Sequence, residues 1–228
     1  MPDKPVITDR VAYWDHYAAG MRREMPQDAL KDAFGWTQYP EHGPGGELLG
    51  DPASALEIGF GRGNAVAALA VKGVEATGVD MSPRQVVSAK ERWGHLPGAR
   101  FEEGDALAFL AATTRRWDAI YSIFGGLWFI EPAQWLPLVR LRLTPGGKVV
   151  FSHAPPVPGS YGLQGMYGAG FTGRRVWVYR WAYEPEVWAR MLEDEGYEDV
   201  HARVEPAPDA DHVGTLIVEG RSPGACAV

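Results

Sequence analysis

Residues 54–69, SALEIGFGRGNAVAAL, pass from an apolar segment through three closely spaced glycines into a second apolar segment at helical spacing. Ala55, Leu56 and Ile58 suit a strand buried on both faces, as in a parallel sheet. Gly59, Gly61 and Gly63 permit a sharp turn with no Cβ between backbone and ligand. Val66, Leu69 and Ala70 then share one face of a helix for which Asn64 is a candidate cap. Strand, tight turn and helix in this order open a doubly wound α/β sheet. Such sheets bind ligands at the carboxyl ends of their strands, beside the unpaired amides of a helix start.

The alternation continues downstream. Glu75 to Val79 reads as a second strand, ended by Asp80-Met81-Ser82-Pro83 with Ser82 as cap and Pro83 at the first helical position of a helix reaching Trp93. A third strand over 100–103 leads through Gly104-Asp105-Ala106 into a short helix. Residues 117–123 form a fourth strand, 132–143 a helix, and the turn Thr144-Pro145-Gly146-Gly147 enters a fifth strand over 148–152. A helix over 184–195 and an antiparallel edge pair of strands, 199–204 and 215–219, close the chain. Strands and helices alternating on short connections predict a mostly parallel sheet with helices on both faces.

Two regions fall outside this scheme. In residues 1–52, Val11, Trp14, Tyr17 and Ala18 recur at helical spacing between a start at Thr8 or Asp9 and a stop at Gly20. A second helix over 27–34 and a Gly/Pro-rich stretch over 35–46 holding Trp36 and Tyr39 follow. This region reads as an N-terminal helical flap on a main domain over 53–228. Residues 153–183 form an insert carrying Tyr161, Tyr167, Phe171, Trp177, Tyr179, Trp181 and Tyr183. That aromatic density argues against disorder and for a lid.

The formal net charge of -7 and the lack of any Lys/Arg run argue against a phosphate-tracking surface, so a small-molecule partner is expected and nucleic acid is not. The one cysteine, Cys226, permits neither an internal disulfide nor a thiolate metal cluster, and no metal is expected. No apolar run reaches membrane-spanning length, and MPDKPVITDR lacks the pattern of a signal peptide, so the expected setting is cytoplasmic, away from membranes.

The order Glu57-Ile-Gly59-Phe-Gly61-Arg-Gly63, then Asp80, Asp105, Ser122 and Leu-Thr-Pro-Gly-Gly, resembles a class I S-adenosylmethionine-dependent methyltransferase over roughly residues 53–152. The resemblance implies a Rossmann-like seven-stranded sheet with its last strand antiparallel, and S-adenosylmethionine as cofactor. It also implies that Gly59, Phe60, Gly61 and Gly63 receive the methionine and ribose part of that cofactor, with Glu57 ordering the turn. By the same resemblance Asp80 accepts from the ribose hydroxyls, Met81 lies against the adenine, Asp105 and Ala106 meet its amino group, and Ser122 to Phe124 border the sulfonium.

The protein mainly has to position an acceptor and exclude water. His153, at the end of the fifth strand, is a candidate base, with His16 and Tyr39 as further candidates; each also has a plain structural reading. Trp14, Tyr17, Trp36, Tyr161 and Tyr167 are candidates for an acceptor pocket or for a small core under the lid. Arg174, Arg175 and Arg180 are candidates to hold a substrate anion, or are simply solvated. The sequence leaves open a nucleic-acid or protein acceptor, although the Ser122-Ile-Phe-Gly-Gly stretch lacks the Pro-Pro-aromatic motif of amino-methylating nucleic-acid enzymes. It also leaves open a non-catalytic adenosyl-ligand binder and a nicotinamide-dependent oxidoreductase, the latter disfavoured by the glycine spacing.

Overall fold

The computed structural model describes residues 10–20, 26–167 and 177–224. Strands β1 (Ser54–Ile58), β2 (Glu75–Asp80), β3 (Ala99–Glu103), β4 (Trp117–Ile123) and β5 (Leu143–His153) run parallel in the order β3-β2-β1-β4-β5. Two later strands, β8 (Glu198–Glu205) and β9 (Thr215–Arg221), complete a seven-stranded sheet. The last strand, β9, is the antiparallel one; it inserts between β5 and β8, so only β8 forms the edge. The order is that of a Rossmann-like, doubly wound α/β sheet. The burial pattern explains the placement, since β9 is buried at six successive residues while β8 alternates with exposed positions.

Helices α3 (Asn64–Val71), α4 (Pro83–Trp93), α5 (Ala106–Ala112), α6 (Pro132–Arg142) and α7 (Pro185–Glu195) cover the sheet. Leu56 and Ile58 of β1 belong to the core layer that holds Trp135 and Trp188, while Ala55 faces the opposite layer with Trp36 and Tyr121. This is the two-residue side-chain period of a strand buried on both faces. Helix α3 is capped by Gly63 in a left-handed conformation, not by Asn64, which is its first helical residue. Ala65 to Ala70 are all buried, so α3 is apolar all round rather than on one face. The extra cover comes from α2 (Pro26–Lys31), which packs on it.

The N-terminal region divides in two. Ala29, Trp36 and Leu49 are core residues, and the Trp36 indole donates to the Gly45 carbonyl at 2.9 Å. Helix α1 (Arg10–Ala19) has no buried residue and lies against α4. The insert is a β-hairpin rather than an irregular loop: β6 (Gly162–Tyr167) and β7 (Trp177–Ala182) pair antiparallel in a sheet of their own. Phe171, Arg174, Arg175, Cys226 and the proposed helix start at Thr8 or Asp9 lie outside the described residues.

Candidate functional site

A cavity of about 340 Å³ opens where β1, β2 and β4 end. The glycine turn shapes it by fixing its own amides internally. The Gly59 N–H donates to the Val79 carbonyl at 2.8 Å, Gly61 to Asp80 Oδ2 at 3.0 Å, and Gly63 to the Phe60 carbonyl at 2.8 Å. The turn therefore does not offer its glycine amides to a ligand; it delivers a shaped surface and a tethered carboxylate. Gly61 (φ +51°) faces space, since a Cβ there would meet only Gln85 Nε2 at 4.0 Å. Gly59 (φ +74°) has another cause: its Cβ would stand 2.3 Å from the Gly126 nitrogen, in the turn after β4.

Asp80 is the polar centre of the cavity. Oδ1 accepts from the Ser82 N–H at 2.9 Å and Oδ2 from Gly61, which leaves acceptor capacity on both oxygens. Burial raises its pKa above the ordinary value, the Ser82 and Gly61 amides oppose this, and the nearby Asp15 adds to it. Glu57 is 4% exposed and accepts from the Tyr121 hydroxyl at 3.3 Å. Burial pushes its carboxyl well above the usual carboxylate range, against the Tyr121 bond and with help from Asp80. Met81, Gly104 and Ala106 line the same space.

Across from these groups, Ile123 to Gly126 and Phe129 give the cavity an apolar side. Phe124 holds φ +45°, a costly conformation for a bulky residue, with its N–H bonded to the Ser152 carbonyl at 2.9 Å. Helix α1 closes over the opening with Arg10, Trp14 and Tyr17, and the Trp14 ring meets Phe129 edge-on at 4.8 Å. Asp15 docks this helix: it accepts from the Ser82 hydroxyl and from the Arg84 N–H, the latter at 3.2 Å, at the start of α4.

Residues 55–147 match a family model described as a methyltransferase domain. In this span the chain is similar to methyltransferase domains. A curated relative, demethylmenaquinone methyltransferase of Deinococcus radiodurans, is 34% identical over 127 residues, covering 54% of this chain and 50% of the relative. The chain spans about half the length of the curated relatives it matches. The fold is shared with the CcbJ methyltransferase from Streptomyces caelestis, at TM-score 0.62 and 16% identity over 95% of this chain and 100% of that one. It is shared also with the 1,6-didemethyltoxoflavin-N1-methyltransferase of Burkholderia thailandensis, whose structure holds 1,6-didemethyltoxoflavin and S-adenosylhomocysteine. That comparison gives TM-score 0.61 and 21% identity over 96% of this chain and 88% of that one.

Within residues 55–147, Glu57, Gly59, Phe60, Gly61, Asp80, Met81 and Ala106 line the cavity, as do Trp14 and Tyr17 from outside that span. Gly63 lies one layer below, packed against Phe101, where a Cβ would come within 2.5 Å. Asp105 caps α5, with Oδ1 accepting from Leu107 and Ala108, while Oδ2 lies 3.7 Å from Arg10. Ser122 is buried beneath the cavity, where its hydroxyl donates to the Ile58 carbonyl at 2.7 Å and ties β4 to β1.

Trp36, Tyr39, His16, Tyr161 and His153 stand apart from the cavity lining. Trp36 packs on Tyr121 in the core. The Tyr39 hydroxyl donates to the Val213 carbonyl at 2.7 Å and fastens the N-terminal region to the β8–β9 connection. His16 is exposed on α1, and Tyr161 is exposed before β6. The side chain of Tyr167 lies outside the described residues.

His153 is 1% exposed, stacked on Trp128 at 5.2 Å and flanked by Trp188. Its Nδ1 donates to the Ala154 carbonyl at 2.8 Å, and burial brings its pKa down to about 4. The ring is thus a neutral, packed group. Sequence reasoning passed over Arg10, Gln85, Phe129 and Ile130, all on the cavity. A signal existed for Gln85, a buried polar residue in the first turn after Ser82-Pro83. None existed for Phe129, which reaches the cavity only through a helical turn after β4.

No helix of the described residues is long and apolar enough to cross a membrane, and no group of three potential metal ligands occurs among them.

Proposed function

We propose that this chain transfers a methyl group from S-adenosylmethionine to a small organic acceptor through an oxygen or nitrogen atom. The observation that carries the reading is the Asp80 carboxylate, tethered to the Gly61 turn with acceptor capacity left, on a cavity whose other side is aromatic. The residues fit the cofactor. Gly61 leaves room for it, Asp80 would accept from the ribose hydroxyls, Met81 would lie against the adenine, and Asp105, whose Oδ2 lies 3.7 Å from Arg10, would share that oxygen between Arg10 and the amino group. Burial and the neighbouring Asp80 both disfavour the charged form of Glu57, which accepts from the Tyr121 hydroxyl just before the turn.

When bound, the cofactor supplies an electrophilic methyl group on a sulfonium. The chain's own part is to bind, orient and exclude water. Trp14, Tyr17 and Phe129 line the cavity with aromatic rings, whose faces would attract a cation by about 0.5–2 kcal/mol, and α1 shields the opening. His153 packs the strand end, so proton removal falls to solvent or to the acceptor's own acidity. The net charge of -7 supports a small acceptor over nucleic acid.

The test is to incubate the full chain with methyl-labelled S-adenosylmethionine and a panel of small hydroxyl and amine compounds. Label should pass to a small molecule with equal release of S-adenosylhomocysteine. Label found only in added RNA, DNA or protein would contradict the reading.

A further inference from the structure

The hairpin brings one cation against the outer side of the turn that lines the cavity. On β7, Val178 and Ala182 are buried while Tyr179 is exposed, so the residue between them in the alternation, Arg180, faces the body of the molecule. Its guanidinium carbon lies 5.1 Å from the centre of the Trp128 ring, and its Nε donates to Gln164 Oε1 at 3.2 Å from the paired position on β6. Trp128 in turn touches Phe124 at 6.2 Å and Phe129 at 5.2 Å, both on the cavity. Arg180 thus stands one ring away from the methyl-transfer site.

Among the described residues no counter-charge is paired with Arg180. The nearby indole N–H groups of Trp128 and Trp188 are buried without acceptors. His153 beneath Trp128 has spent Nδ1 on Ala154 and is held neutral, in part by the Arg180 charge. Burial lowers the Arg180 pKa, the mark of a cation partly stripped of water and not repaid by a partner. Among the described residues its one side-chain hydrogen bond is made by Nε, so the two terminal nitrogens face no protein acceptor there. Fixed in that way, the planar fork is preorganised for a two-oxygen anion.

We propose that the acceptor is a small carboxylate, bound through its anionic group by Arg180 on the Trp128 face. The proposal rests on the methyl-transfer reading for the word acceptor and on the hairpin alone for the word carboxylate.

Calorimetry tests it with 4-hydroxybenzoate, the uncharged 4-hydroxybenzamide and phenyl phosphate. Each is titrated into the full chain with and without S-adenosylhomocysteine, as wild type, Arg180→Gln and Arg180→Lys. The carboxylate should bind wild type, bind Arg180→Gln about 10- to 100-fold more weakly, as expected for loss of charge-assisted hydrogen bonds, and bind Arg180→Lys at an intermediate level. The amide should bind wild type no better than it binds Arg180→Gln.

The proposal is overturned if the carboxylate fails to bind wild type, binds Arg180→Gln equally well, or is matched by the amide; preference for phenyl phosphate also overturns it. Should Arg180→Gln fail to fold, the lysine variant and the carboxylate-to-amide ratio in wild type still decide. S-adenosylhomocysteine should bind all three proteins alike. If it binds none, the methyl-transfer reading fails, while the titrations without it still judge Arg180.

Discussion

A Cβ on Gly59 would collide with backbone at 2.3 Å, whereas one on Gly61 would find its nearest neighbour at 4.0 Å. The two glycines of one motif therefore answer to different demands, and alanine separates them. Gly59→Ala should lower stability by about 1–3 kcal/mol through overpacking and a disfavoured φ, seen as a lower urea midpoint. Gly61→Ala should lose about 1 kcal/mol to its φ and show its larger effect as weakened cofactor binding in calorimetry.

His153 makes a second prediction at this scale. Its pKa falls from 6.5 to about 4 on folding, so the unfolded chain takes up the proton first as pH drops. The neutral ring's contribution is present above pH 6.5 and is lost as pH falls toward 4, to the extent of about 3 kcal/mol. Glu57 and Asp80, with raised pKa values, act in the opposite sense, so the measurement is the difference between wild type and His153→Gln in urea melts across this range. Wild type should lose its lead toward pH 4.

Helix α1 is anchored from one side. It buries no residue and is held over the cavity by Asp15 at the start of α4 and by Trp14 against Phe129. Asp15→Ala should leave the thermal midpoint nearly unchanged while speeding amide exchange across residues 10–19 and weakening ligand binding. Exchange rates identical to wild type would remove α1 from the role of cover.

The central strands were legible because each is an apolar run ended by a turn residue that the sheet requires. The hairpin was not, since alternate exposure in β6 and β7 is written in aromatics and glycines whose two faces become distinct only against Trp128. Trp36 shows the same limit: a large aromatic in a Gly/Pro-rich stretch suits a pocket or a core, and the hydrogen bond to Gly45 that decides for the core spans nine residues of irregular chain.

At the scale of the whole molecule, a sheet buried on both faces brings its strand ends together, and the residues that meet there come from Arg10 through Ile130. Asp80 was legible as a residue of the strand-end cavity because its place after the second strand follows from the strand–helix alternation. The acceptor side was not, because it depends on how α1, the turn after β4 and the hairpin pack, and no spacing rule encodes that packing.

The central claim is that this strand-end cavity takes S-adenosylmethionine through Asp80. Its most direct test is calorimetry of S-adenosylmethionine with wild type and Asp80→Ala, with NAD as the control ligand. Wild type should bind S-adenosylmethionine and not NAD, and the variant should lose about 10-fold or more in affinity with the loss of hydrogen bonds to a carboxylate. Equal affinity in the two proteins, or binding of NAD in place of S-adenosylmethionine, would contradict it.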